Sequence, residues 1–524
     1  MKIRRSQLST KSQEMKPLLE AVFQQLVDRA PASVYASVVY ECRSKKSVTV
    51  YPQSVEVDDK SMVGVNLRYL VGATMYEEAT NLIDQASLNE CVERLVQRVV
   101  DHGGQDKAYR SPTWAERVAE GLENDIVEQI PENPAPETWV HFGVRHAEDL
   151  PTDQAEMVRL AKETFSDVWD FRLSLGEDHP ARNPDQLRVE LKFATDEFLF
   201  IDSSVRMSQA ITRNRQIPVL VKGHDRSFVL QGGIGGLESV SLDADHYQTL
   251  YDKLAKALTA ERMSPGRYKL LMSPSLAGVF AHEAFGHSQE ADTWARERSK
   301  ARELYLSKQP VGNEHATILN NPAIYDNGDS GFGAWGSYFF DEEGWLAKKQ
   351  YLVKSGVLQQ PMTNLTSSLR LNIPRSANGK RENFGHAIYS RQTNTYFEQG
   401  DLTFMELIGL VDYGFLATEP FGGMEDPKGM GIQVGMQYLE EIRDGELTGQ
   451  TFKAPNGGAV QMTGSVQEYL ENILGRSKID AFSEGPDESV HPWNELGGCG
   501  KYHKEFVEAG CGGPFLLVDK VLLG

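Results

Sequence analysis

A chain of 524 residues is too long for one ordinary hydrophobic core and predicts two or three domains. Its 40% hydrophobic and 24% charged residues suit a soluble globular protein, and a net charge of −20 argues against nucleic acid and anionic membrane surfaces as partners. Four cysteines (Cys42, Cys91, Cys499, Cys511) are too few for a disulfide scaffold, and no signal peptide or bilayer-spanning run is legible. A reducing cytoplasm is therefore expected, where a cysteine that matters is a thiolate ligand or nucleophile.

In chain order, residues 12–30 have helical spacing, with Met15, Leu18, Leu19, Val22, Phe23, Leu26 and Val27 apolar. Strand patterns follow at Ala36–Glu41, Ser47–Tyr51 and Gly64–Leu70, then a helix at Leu88–Val100. The Pro-rich stretch Pro131–Pro136 reads as a linker or loop. Residues 152–170 read as a helix, and 188–230 as several short strands. Tyr268–Met272 reads as a strand. Ser273 then caps a helix with Pro274 at its first position, and that helix is apolar nearly all round, hence buried. Strand-like segments recur at Ser337–Phe340, Lys349–Lys354, Thr395–Phe397, Leu407–Tyr413, Gly431–Ile442 and Phe515–Val518. The expected fold class is α+β. N-terminal α/β units span 1–230, with a division near 131–136. A β-rich, mainly antiparallel C-terminal domain spans 231–524 and carries a buried metal-binding helix.

Within that helix lies His282-Glu283-Ala284-Phe285-Gly286-His287. In the common H-E-x-x-H zinc motif the histidines are i and i+4. Here they are i and i+5, which on an ideal α-helix puts the second ring about 140° around the axis. Either the helix loosens at Gly286 or it carries a π-type turn. Glu283 and His287, at i and i+4, form a rival pair that leaves the reaction without an obvious base. A third ligand is needed. Candidates are Glu290, Asp292, His315, His386, His491, His503 and the cysteines. Cys499, flanked by glycines and by a Lys501 that would favour the thiolate, leads, with Cys511 second. Cys42 and Cys91 read as core. The GxGxxG match at 331–336 precedes a strand pattern and is rejected as a dinucleotide site, and Gly232–Gly236 lacks the residues of a phosphate loop. Asp341-Glu342-Glu343-Gly344 offers an ion or a substrate amine a site, but an exposed acidic turn is the expected reading.

Leu271–Asp292, LMSPSLAGVFAHEAFGHSQEAD, resembles the signature of the TldD/PmbA metallopeptidase family, an HExxxH followed by an acidic pair, here Glu290 and Asp292. The resemblance continues through Phe340–Gly344, Gly379–Asn383, Arg391–Tyr396, Gly422–Met424 and Cys499–Lys501, and more weakly through Gly64–Leu70 and the helix near 88–100. It implies the TldD-like branch, which keeps HExxxH, rather than the PmbA-like (TldE-like) branch, which lacks the metal site. It further implies zinc held by His282, His287 and Cys499, with Glu283 as general base. The implied activity is hydrolysis of small or unfolded peptides by a metal-activated water. The implied assembly is a heterodimer with a PmbA/TldE-like paralogue, with a homodimer as runner-up. The alternative is a non-catalytic assembly subunit. The stretch from Glu290 to Gly331, with an Arg/Lys-rich helix expected at 294–304, departs from the family pattern, as does the tail around Cys511.

Overall fold

The computed structural model describes every residue except 1–2, 31–33, 101–108, 119–121, 152, 326–331, 479–494 and 502–505. It is an α+β structure with mainly antiparallel sheets. In the N-terminal half, helix α1 (Lys16–Arg29) precedes the strands β1 (Tyr35–Val50), β2 (Val55–Val71) and β3 (Thr74–Thr80), then helix α2 (Gln85–Val100). Helix α3 (Gln154–Phe171), strands β4 (Gln186–Ile201) and β5 (Arg206–Lys222) and helix α4 (Ala244–Thr259) complete it. β1 pairs with β2 over its whole length and with β4 from Val38 to Val50, and β5 pairs with β4. The separate strands expected at 36–41 and 47–51 are therefore one. The polar run Arg43–Ser47 breaks the apolar pattern, but hydrogen bonds from both neighbours carry the strand through it. For the same reason most of 188–230 forms two long strands rather than several short ones. Helices α1 and α2 bury Leu19, Val22, Phe23, Leu26, Leu88, Val92 and Leu95 against one part of the sheet. Helices α3 and α4 cover another part with Val168, Leu250 and Leu254.

The second half is built on two sheets. In the ten-stranded sheet, β6 (Gly266–Met272) runs parallel to Tyr413–Ala417, and the strand Pro420–Asp426 forms one edge. In the six-stranded sheet, β7 (Asn394–Phe397) runs parallel to Val507–Gly512, and the strand Glu495–Cys499 forms one edge. Helix α5 (Pro274–Ala281) packs against strands of both sheets. All eight of its residues are buried, as its all-round apolar sequence requires.

The strand expected at Gly431–Ile442 is two, Gly431–Met436 and Leu439–Arg443, and further expectations fail here for identifiable reasons. Ser337–Phe340 is irregular, because the Gln209 side chain rather than a neighbouring strand binds its backbone: Oε1 accepts from the Phe339 amide (2.9 Å) and Nε2 donates to the Phe340 carbonyl (3.0 Å). Residues 404–409 form a helix, started by a capping box between Thr403 and Glu406, so the strand predicted from Leu407 begins only at Tyr413. The single helix expected at 294–304 is two, α6 (Ala291–Ala295) and α7 (Ala301–Ser307), separated by a turn with Glu297 at φ 56°. The acidic turn Asp341–Glu343 is buried, not exposed. Arg375 pairs with Asp341 and Glu343, and Arg381 pairs with Glu342 at 2.7 Å.

Gly278 marks the closest approach of α5 to the six-stranded sheet. A Cβ there would lie 2.1 Å from the Gly512 amide nitrogen and 2.8 Å from the Cys511 carbonyl carbon, both backbone. Gly278→Ala should therefore destabilise the fold by about 3 kcal/mol, the upper range of overpacking costs, measured by denaturant unfolding. An unchanged midpoint would show that the helix and sheet are not held this closely.

Candidate metal centre

Ser273 starts α5 by accepting a hydrogen bond from the Leu276 amide (3.3 Å), with Pro274 next. After Ala281 the helix changes period. The His287 amide donates to the His282 carbonyl, the i→i+5 bond of a π turn over His282–Gly286. That turn sets His287 over His282 instead of far around the axis. The two rings stand nearly perpendicular with centroids 5.0 Å apart. Gly286 has φ −61°, an ordinary helical value, so glycine is required for space rather than for conformation. A Cβ there would lie 2.1 Å from Oε1 of Gln392. The Gln392 carboxamide is held by Thr395 Oγ1, which donates to Oε1 (2.8 Å), while its Nε2 lies 3.5 Å from the His282 carbonyl and 3.8 Å from Cys499 Sγ.

Cys499 comes from the last position of the edge strand Glu495–Cys499. Its Sγ lies 3.3 Å from His287 Nε2. One donor atom each from His282, His287 and Cys499 falls within 4.8 Å of the others. Donors on a tetrahedral zinc ion, bonded at about 2.0–2.3 Å, stand about 3.3–3.6 Å apart. Two imidazoles and a thiolate at this spacing fit such an ion, and three protein donors is the number used by catalytic zinc sites.

Charges around the cluster favour thiolate over thiol. Burial alone would discharge both His287 and Cys499. Their mutual attraction overrides it, raising His287 well above the usual imidazole range and holding Cys499 well below the usual thiol range, with Arg391 and His282 assisting. Glu290 supports His287, its Oε2 lying 3.4 Å from Nδ1. Burial would raise the Glu290 carboxyl, but Lys501, His287 and Arg391 hold it well below the carboxylate range. Lys501, expected beside the sulfur, instead reaches the acids, with Nζ 2.9 Å from Glu290 and 2.8 Å from Asp292. The thiolate-favouring role expected of Lys501 falls to His287, Arg391 and His282, because the two carboxylates that follow the helix capture the ammonium.

Glu283 is buried beside the cluster. Its Cγ packs on Gly423 of the edge strand Pro420–Asp426, where a Cβ would intrude to 2.6 Å. Glu425, from the same strand, is raised to about 7 by burial and by its hydrogen bond to Glu283, against the pull of His287. Glu283, His287 and Glu425 form a second group of donor atoms within 4.8 Å. Gln392, Arg391 and Glu425 were not assigned from the sequence. Each lies in or beside a stretch that resembles the family, yet no local spacing points to its role.

Of the other candidates, Glu290 and Asp292 lie behind the centre, and His315 and His386 are not among the donors brought together. His491 and His503 fall outside the described residues. Cys511 is buried against α5, Cys91 is core, and Cys42 packs at the core's margin. Gly331 also lies outside the described residues, while Gly333 bridges to Ile234, a backbone contact with no helix following.

Residues 265–522 match the profile of the PmbA/TldA metallopeptidase C-terminal domain. A metalloprotease of Methanothermobacter thermautotrophicus is 32% identical over 56% of this chain and 58% of its own length. A zinc metalloprotease TldD homolog of Saccharolobus solfataricus is 27% identical over 52% of this chain and 55% of its own length. The chain spans little more than half the length of these curated relatives. The crystal structure of TldE from Thermococcus kodakarensis shares the fold, with a TM-score of 0.61 at 13% identity over 98% of this chain and 99% of that one. With residues 265–522 matched to the metallopeptidase domain and curated relatives that are metalloproteases and a TldD homolog, this chain belongs to the TldD/PmbA family.

Proposed function

We propose that this protein is a zinc-dependent peptidase of the TldD-like branch, with its catalytic domain in residues 231–524. The observation that carries the reading is the convergence of His282, His287 and Cys499, with Glu283 buried alongside. The zinc in the name of the Saccharolobus relative supports the same ion. Zinc bound by these three side chains would supply Lewis acidity and a water of pKa near 7. Glu283 receives the proton of the attacking water and returns it to the departing amine nitrogen. Glu290 orients the His287 ring, and Gln392 lies against the His282 carbonyl and the Cys499 sulfur. Pro420–Asp426 is an edge strand beside Glu283, so an extended peptide can add to it as a further strand and bring its carbonyl to the centre. Small or unfolded peptides fit such an edge, because folded chains have their backbone groups already paired.

The family likeness and the TldE neighbour support a heterodimer with a PmbA/TldE-like paralogue. No disulfide joins the four cysteines, which suits a reducing cytoplasm, and no helix among the described residues is long and apolar enough to cross a membrane.

Purified His282→Ala and Cys499→Ala should each lose bound zinc by elemental analysis, while Glu425→Gln keeps it. Zinc retained in both of the first two variants and lost in the third would assign the ion to the Glu283–His287–Glu425 group instead. Glu283→Ala should retain zinc and lose about 10²–10⁴-fold in peptide hydrolysis, read on a peptide library. Full activity would remove Glu283 as the base. Co-expression with a PmbA-like paralogue should yield a one-to-one complex by size-exclusion chromatography with light scattering. A complex of this chain with itself alone would favour the homodimer.

A further inference from the structure

The carboxylate pair beside the metal centre has no cation of its own. Other buried acids of this fold are matched: Lys501 serves Glu290 and Asp292, Arg381 serves Glu342, and Arg117 serves Asp202. Glu283 and Glu425 bring carboxylate oxygens within 4.8 Å of each other and of His287. Among the described residues no lysine or arginine pairs with either, and neither has an oxygen that is both enclosed and unpartnered. Two like charges this close repel, and a cation set against them removes that cost.

The edge strand Pro420–Asp426 gives such a cation its approach. Gly423 packs on Glu283, and two residues on, the half-buried Glu425 lies on the same face of the strand. Past Asp426 the edge is taken. The Pro427 carbonyl accepts from the Lys300 amide (3.0 Å), so this chain's own backbone holds the place that an added strand would need. Toward the other end Phe421 and Gly422 are exposed. A peptide added antiparallel to this strand therefore begins near Glu425 and runs toward Phe421.

The position selects among cations. His287 is engaged by Cys499 at 3.3 Å, which leaves two carboxylates for a second metal ion, fewer protein donors than a zinc site uses. A lysine side chain carries its charge at the end of a long stem, away from the bond being cut. The α-ammonium is bound to lie close, because backbone bonds place the α-nitrogen about 2.5 Å from the carbonyl carbon of its own residue.

We propose that Glu425 binds the α-ammonium of the substrate, which makes this centre an aminopeptidase that removes the first residue of a short or unfolded peptide. Water adds across the first peptide bond: the carbonyl carbon gains the hydroxyl and the departing nitrogen gains the proton. The inference rests on the peptidase reading and narrows it.

The test uses the full-length protein and a hexapeptide in free and N-acetylated form, with fragments identified by mass spectrometry. The free peptide should lose residues one at a time from its N-terminus. The acetylated peptide, which lacks the charged contact, should be cut roughly tenfold to a hundredfold more slowly. Glu425→Gln should lower kcat/KM on the free peptide by a similar factor, mainly through KM, and should cut the two forms alike. Internal cuts made equally in both peptides, or a Glu425→Gln variant that keeps the preference for the free end, would overturn the proposal and leave the peptidase reading intact. If the parent cuts neither peptide, the peptidase reading fails, and calorimetric titration with L-leucinol and N-acetyl-L-leucinol, which have no peptide bond after the first residue, decides the ammonium site. Binding of the free amine roughly tenfold tighter or more, with the difference lost in Glu425→Gln, upholds it. Equal binding of the two, or none, removes it.

Discussion

One hydrogen bond, from the His287 amide to the His282 carbonyl, decides whether the two histidine rings can share an ion. With the ordinary i→i+4 bond the two rings would diverge by about 140° and could not share an ion. Widening the turn by one residue brings them to 5.0 Å. The wider turn is a poorer helix, and it persists because Gln392 fills the space left by the missing Cβ of Gly286 and lies against the loosened His282 carbonyl.

The second requirement is that a sulfur 212 residues further on arrive at the same place. It comes from an edge strand, where pairing on one side alone leaves the chain freer to move. Polar contacts on either side of Cys499 restrain it. Arg391 donates to its carbonyl at 2.5 Å, and two residues later Lys501 is bound by Glu290 and Asp292, which lie just past the short 3₁₀ turn His287–Gln289 that follows the π turn. The sulfur and the rings are thus registered by charges at their flanks as well as by strand pairing.

What the sequence makes legible follows from how local each cause is. The start of α5, its burial and the choice between a loosened end and a π turn are all contained in Ser273–His287, and the structure shows the π turn. Cys499 stands out through its flanking glycines, and Gly498 does admit the Phe506 ring against it. Gln392 and Glu425 are silent because their roles depend on distant strands. The acids at 341–343 read as an exposed turn for the same reason. Their cations sit at 375 and 381, and only the folded chain brings them close enough to make burial tolerable. The merged strands of the N-terminal sheet teach the converse. Hydrogen bonds from both sides hold polar residues in a strand that their own pattern would end.

Buried ion pairs are poor sources of stability, since apolar side chains of similar volume are often as good or better. The network of Glu290, Asp292, Arg391 and Lys501 therefore calls for a reason other than stability, and geometry supplies one. Apolar packing tolerates sliding, whereas a lysine shared by two carboxylates at 2.8 and 2.9 Å fixes one position. A shift of an ångström at Cys499 would break a contact of 3.3 Å to His287. Fixing the donors by charge, rather than by packing, ties the sulfur to the same carboxylates that flank the two rings.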